Sequence, residues 1–341
     1  MKKLVIIGGG FSGALIAKKL ENKFNVTLID TKDYFEFTPS VLKVIVYPEL
    51  ISKIEIKHKD YLKKSGFILG EVKDVGKKSV LVNNQRIQFD YLVIASGSRY
   101  ESLIKEKNVV INFRAKNLKE CHKCLEKAES VLIIGGGLVG IELASEISEA
   151  YPGKKITLIS ASEKLIPRNN LASSEIVEKH LRKKGVEIKL NETVDIKNGA
   201  VFTKDKKMIK SDMTFLCTGI KCNSEFMNKS FSDKMDNGFI KVDKYLRLDG
   251  VKNVFVAGDV ADIKEEKTAQ GAEKQARAVI KNLLNEINNK SLTEYVSKQR
   301  PFVISLGRKK GIFEYKKISW CGWIPALMKK FIEFRTMIRY R

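Results

Sequence analysis

Leu4-Val5-Ile6-Ile7-Gly8-Gly9-Gly10-Phe11-Ser12-Gly13 decides the fold. The four apolar residues read as a buried strand, and the glycines after them have GxGxxG spacing. Ala14 to Leu20 then reads as a helix. A second strand, Val26 to Ile29, ends on Asp30, about twenty residues past the first glycine. Each part has a physical job. Gly8 makes the tight turn, Gly10 lets the backbone approach a pyrophosphate, and Gly13 lets the helix pack on the strand. The helix start offers free N–H groups and a positive dipole end to phosphate. Asp30 is placed to accept hydrogen bonds from ribose hydroxyls. Met1-Lys2-Lys3 before an apolar stretch imitates a secretory signal, but its cleavage would destroy this unit.

The pattern recurs. Val131-Leu132-Ile133-Ile134 leads into Gly135-Gly136-Gly137-Leu138-Val139-Gly140 and a helix through Ile147. The next strand, Ile156 to Ile159, ends on Ser160, where an acid is usual. Gly135, Gly137 and Gly140 repeat the roles of the first set. Two dinucleotide sites in one chain suggest one cofactor that stays and one that exchanges, with hydride passing from a nicotinamide to a flavin.

Further segments carry a family resemblance. Asp90-Tyr91-Leu92-Val93-Ile94-Ala95-Ser96-Gly97 and its echo Ser211 to Gly219 close the two halves, and Asn253 to Asp259 contains a second flavin fingerprint at Gly258 and Asp259. Together these resemble the two-dinucleotide-binding-domain flavoproteins. Tyr34-Phe35-Glu36-Phe37-Thr38-Pro39 resembles the segment beside the flavin in type II NADH:quinone dehydrogenases, which do not pump protons. Thr268-Ala269-Gln270-Gly271-Ala272-Glu273-Lys274-Gln275 resembles their helix start at the flavin and quinone pocket, with Lys274 where a second Gln is usual. Lys267 resembles a lysine of the apoptosis-inducing-factor-like quinone reductases.

The resemblance implies an α/β fold of two Rossmann-like domains. An FAD domain, 1–112 with 238–300, is interrupted by an NAD(P)H domain, 113–237, and followed by a basic amphipathic appendage, 301–341. It implies FAD and either NADH or NADPH as cofactors. Hydride goes to the flavin, and two electrons then go to a quinone. Gly8, Gly10, Gly13, Asp30, Thr38, Pro39, Ser96, Gly97, Gly258 and Asp259 are assigned to FAD. Gly135, Gly137, Gly140, Ser160 and Gly219 are assigned to the nicotinamide dinucleotide. Glu142, Lys267 and Gln270 are the expected catalytic residues, with Glu142 at the nicotinamide end. The bland reading of Glu142 is an acid complementing the helix dipole.

Absences narrow the class. Residues 31 to 60 hold no cysteine, and none lies between Cys222 and Cys321. The thiol chemistry of disulfide reductases and sulfide:quinone reductases needs thiols there. Cys121-His122-Lys123-Cys124 keeps a thioredoxin-reductase-like reading open, and a zinc site would need two more ligands. Against both, Leu118, Cys121, Leu125 and Ala128 fall at helical spacing and read as a buried face. Five cysteines make no disulfide scaffold and fit a reducing cytoplasm. The alternative function is a soluble NAD(P)H-dependent reductase of thioredoxin, rubredoxin or ferredoxin; a non-catalytic redox sensor is a third.

Net charge is +23, with most cations scattered, so nucleic acid is not expected as a partner. The C-terminal end differs. Ile318 to Met328 is uncharged, and Lys329 to Arg341 is basic and aromatic. Ile324, Leu327, Phe331, Phe334 and Ile338 follow helical spacing, with Pro325 in the first turn. Residues 318–341 are therefore expected to dock on an anionic membrane surface without spanning it, placing the protein on the inner face of the cell membrane. The competing reading packs this face on the protein's own body or on a second subunit, which leaves a homodimer open.

Overall fold

The structure is a computed structural model that describes residues 1–99, 113–197, 200–227 and 230–341. The expected domain boundary at 112/113 borders residues outside those described. The strand Lys3–Ile7 is apolar on both faces because both are covered. Leu4 and Ile6 enter one hydrophobic core, and Val5 and Ile7 enter another on the opposite side. This strand is central in a five-stranded parallel sheet ordered Val254–Val256, Tyr91–Ile94, Lys3–Ile7, Asn25–Asp30, Gly66–Leu69. The edge strand Val254–Val256 comes from far downstream, so the first sheet is completed only after the second glycine unit has been passed.

That second unit builds a four-stranded parallel sheet, ordered Glu187–Lys189, Lys155–Ile159, Ser130–Ile134, Met213–Leu216. Register repeats between the two sheets: Ile7 pairs with Ile29, and Ile134 pairs with Ile159. Asp30 and Ser160 therefore occupy equivalent places. In both sheets the glycine turn lies at the carboxyl ends of the strands, where open α/β sheets bind ligands.

The helix Phe113–Lys127 buries Leu118, Cys121 and Leu125 and leaves Cys124 exposed. Burial pushes the Cys121 thiol up to about 12, which suits a core side chain and not an attacking thiolate.

The C-terminal region folds as an antiparallel sheet, Phe302–Ser305, Gly311–Tyr315 and Ile318–Gly322, followed by the helix Trp323–Ile338. The uncharged stretch from Ile318 is thus an edge strand first and a helix second. The helix turns Pro325, Ala326, Lys329, Thr336 and Met337 inward, while Ile324, Leu327, Phe331, Phe334 and Ile338 face out. Its end is tied to elements around the first glycine unit. Tyr340 packs 4.4 Å from Phe35 and 4.9 Å from Tyr61, ring centre to ring centre. Arg339 pairs with Glu273 at 2.9 Å, and Lys18 Nζ donates to the Arg339 carbonyl. Among the described residues, no helix is long and apolar enough to cross a membrane.

Candidate functional site

The two glycine turns are built alike. Gly8 has φ +97°, and a Cβ placed there would lie 2.3 Å from the Ala95 carbonyl oxygen. A Cβ on Gly13 would lie 1.8 Å from the Gly8 carbonyl oxygen, so only glycine lets this helix reach the strand. Gly135 and Gly140 repeat both contacts, at 2.4 Å to Cys217 O and 1.9 Å to Gly135 O. Gly10 and Gly137 differ from these. Neither would meet protein within 4 Å, so what constrains them is the space in front of the turn. Both helices begin without a side-chain cap, which leaves first-turn amides for an anion. A pyrophosphate fits this cradle.

Asp30 is buried at the end of its strand, and its Oδ2 accepts from Gly9 N at 2.9 Å and lies 3.3 Å from His58 Nε2. Burial works against the charge, but His58, Lys32 and the Gly9 amide prevail and hold the carboxyl below its usual range. The sequence leaves His58 isolated. The structure buries it completely, with Nδ1 2.6 Å from Tyr61 Oη. Ser160, at the equivalent place, carries a hydroxyl instead of a carboxylate; its Oγ accepts from Ser162 N at 3.3 Å.

One cavity of about 410 Å3 gathers most of the expected residues. From the first unit come Gly8, Gly10 and Asp30, with Thr38 and Pro39 from the segment after it. Ser96, Gly97, Gly258 and Asp259 line it from the strand ends, and Lys267 and Gln270 from the start of the helix Ala269–Ile287. Glu142 reaches the same cavity from the helix Leu138–Ala150 of the second unit. Gly13, Gly135, Gly137, Gly140, Ser160 and Gly219 do not line it. Gly13 and Gly140 are packing glycines, and the others lie at the second sheet.

The walls are hydrogen-bonded. Asp259 Oδ2 accepts from Ser98 Oγ at 2.5 Å, and Gly258 N donates to Gln275 Oε1 at 2.6 Å. Lys267 Nζ donates to the carbonyls of Ala261, at 2.6 Å, and Ile263, at 3.2 Å; burial pulls its pKa down, against the carboxylate of Asp259. Lys274 does not line the cavity: its ammonium donates to Val296 O and lies 4.9 Å from the Tyr295 ring centre.

Sequence reasoning missed the roof. Phe302, Val303, Lys329 and Ile332 line the cavity from the C-terminal sheet and helix. Lys329 Nζ donates to Glu142 Oε1 at 2.6 Å, and Ser305 N donates to the same oxygen at 2.7 Å. Lys329 is therefore buried, not a membrane-facing cation. The available signal was its place on the helix, opposite Leu327 and Phe331.

A family model described as pyridine nucleotide-disulphide oxidoreductase matches residues 2–276. The chain is 32% identical over 366 residues to apoptosis-inducing factor homolog B of Dictyostelium discoideum, covering 96% of this chain and 93% of that protein. It is 32% identical over 332 residues to ferroptosis suppressor protein 1 of Taeniopygia guttata, covering 91% and 87%. Two solved structures share the fold. The sulfide:quinone oxidoreductase of Aquifex aeolicus has a TM-score of 0.83 at 20% identity, covering 100% of this chain and 92% of that one. NDH2 from Plasmodium falciparum in complex with NADH also has 0.83, at 16% identity, covering 98% and 94%. Two glycine cradles, one cavity at the first of them that the helix of the second also lines, and a match over residues 2–276 place this chain in the pyridine nucleotide-disulphide oxidoreductase family, as an FAD-dependent NAD(P)H oxidoreductase.

Proposed function

We propose that this protein oxidises NAD(P)H and reduces a quinone while docked on an anionic membrane surface. The observation that carries this reading is the roof helix. Its inner face, at Lys329 and Ile332, lines the cavity, and its outer face presents Leu327, Phe331 and Phe334 to solvent. A lipid-dwelling acceptor meets the same element from the other side. Exposed Lys330 and Arg335 flank that face on the helix, and exposed Lys316 and Lys317 lie in the turn before its edge strand; all suit anionic headgroups. The likeness of Tyr34–Pro39 and of Thr268–Gln275 to quinone-reducing type II enzymes agrees with it.

In this reading residues 1–112 and 238–300 form the FAD domain, 113–237 the NAD(P)H domain and 301–341 the docking region. Gly8, Gly10 and the first-turn amides hold the FAD pyrophosphate, Asp30 the ribose and Asp259 the ribityl end. Gly135, Gly137 and Ser160 hold the exchanging nucleotide. Bound FAD supplies the two-electron chemistry that links nicotinamide to acceptor. Glu142, fixed by Lys329 and Ser305 N, presents an oriented carboxylate at the cavity wall. Lys267 brings positive charge to the cavity wall, where Gln270 supplies neutral hydrogen-bonding groups. The protein sits on the cytoplasmic face of the cell membrane in this arrangement.

The test compares acceptors. Purified protein with FAD and NADH or NADPH is given a short-chain quinone, thioredoxin, rubredoxin or ferredoxin. Quinone-dependent oxidation that outpaces the protein acceptors supports the reading. Preferential reduction of a small acidic redox protein replaces it with a soluble reductase, which the +23 charge would then serve.

A further inference from the structure

We propose that Glu146 is a positioning residue for acceptor reduction: an internal acid that keeps one proton behind the Glu142–Lys329 pair and returns it to that pair after turnover. The proposal rests on the quinone reading above. Glu146 lies one helical turn beyond Glu142 and is 1% exposed. Its Oε1 is 3.3 Å from Ser305 Oγ, and its Oε2 has no hydrogen-bond partner among the described residues.

Ser305 ties the two acids together. Its backbone N donates to Glu142 Oε1, and its hydroxyl lies 3.3 Å from Glu146 and 3.2 Å from Gly307 O. A hydroxyl has one hydrogen. When that hydrogen goes to the Gly307 carbonyl, the contact with Glu146 is completed only if Glu146 itself donates. A protonated Glu146 lets its Oε1, the Ser305 hydroxyl and the Gly307 carbonyl all be paired at once.

Charge balance agrees. Lys43, on the helix Val41–Val46, and Lys329, on the roof helix, are the cations whose charge Glu146 feels. Glu142 and Glu333 are the carboxylates that face Lys43 alongside Glu146. Two ammonium groups offset two carboxylates, and a third carboxylate would leave buried charge uncompensated. Burial, helped by the neighbouring Glu142 carboxylate, pushes the Glu146 carboxyl up against the pull of Lys43, Lys329 and the Ser305 hydroxyl.

The reaction needs such a proton. NAD(P)H, a quinone and one H+ give NAD(P)+ and a quinol, so hydride transfer leaves one proton to be supplied. The Lys329 N–H bond breaks as a quinol O–H bond forms. The Glu146 O–H bond then breaks as the Lys329 N–H bond is restored, and solvent reprotonates Glu146 between turnovers.

Infrared spectroscopy tests the stored proton without any acceptor. At about pH 7 the FAD-loaded protein should carry a protonated-carboxyl C=O band that moves with 13C-glutamate labelling and in D2O, although free glutamate is ionised there. Glu146→Gln should remove that band. Stopped-flow experiments then separate flavin reduction by NADH from reoxidation by a short-chain ubiquinone analogue. Glu146→Gln should slow reoxidation about tenfold more than reduction and flatten its pH profile, with partial recovery in Glu146→Asp. Absence of the wild-type band, or equal slowing of both half-reactions, overturns the proposal. Failure of the quinone to reoxidise the wild type rejects the quinone reading by itself, whereas the band still reports on Glu146.

Discussion

Replacing Phe331 and Phe334 with Ser tests the outer face of the roof helix without disturbing the site. The two residues are 62% and 60% exposed, and neither lines the cavity. A whole Phe side chain offers roughly 200 Å2, so each ring has about 120 Å2 to lose to lipid. At ~25 cal/mol per Å2 that is about 3 kcal/mol each, or about 6 kcal/mol for complete burial of both. A helix lying at the headgroup boundary buries about half of this, which leaves roughly 3 kcal/mol, on the order of a hundredfold in partitioning. The assay is flotation with vesicles containing phosphatidylserine at low salt. Melting temperature is the control, because substitution of exposed rings leaves stability nearly unchanged. Vesicle binding that survives the double substitution, with folding intact, refutes membrane docking through this face. Truncation near Lys317 is a poorer test, because it removes Lys329 and Tyr340, which belong to the body of the protein.

Gly10→Leu should fold and purify without flavin, because its side chain would occupy the open space in front of the turn; the flavin absorbance per chain measures this. NADPH should be accepted, since Ser160 offers no carboxylate to repel a 2′-phosphate and Arg168 is held by an exposed pair with Glu266 at 3.5 Å. An NADH preference above roughly a thousandfold in kcat/KM, about 4 kcal/mol, contradicts it. Cys121→Ala with Cys124→Ala should lower the melting temperature and keep both half-reactions, because Cys121 is a core side chain; selective loss of acceptor reduction would revive a redox role. Burial, with Lys184 and Lys310 nearby, pushes the His180 imidazole down to about 4. Its unfolded value is about 6.5, so the unfolded chain binds more protons between those limits and stability falls as pH drops through that window. Melting curves of His180→Gln should show a shallower decline there than the wild type.

What the sequence made legible was what local spacing controls. Gly8, Gly13 and Asp30 lie within one strand-turn-helix-strand unit, and the structure puts each where its spacing implies. The face Ile324, Leu327, Phe331, Phe334 and Ile338 could be read because a helix repeats every 3.6 residues. His58 and Lys329 were illegible for the opposite reason. His58 meets Asp30 across 28 residues and Lys329 meets Glu142 across 187, and no local pattern encodes such pairings. Glu142 was placed at the site by resemblance, yet its two partners come from beyond residue 300. The C-terminal sheet escaped because its strands are four or five residues long and lie beside an uncharged run that reads as helix.

The tie between Lys18 and Arg339 spans 321 residues and gives assembly a fixed order. Synthesis runs from the amino end, and domains fold as they emerge. The first glycine turn leaves the ribosome long before its roof exists. Its own sheet is still missing the edge strand Val254–Val256 when the second unit is already complete. A nascent chain therefore has an interval in which the cradle is formed and the cavity is open above it. The residues just past the last helix then act as a latch, and a substitution that loosens the Lys18–Arg339 tie would act on the roof without touching any residue that lines the cavity.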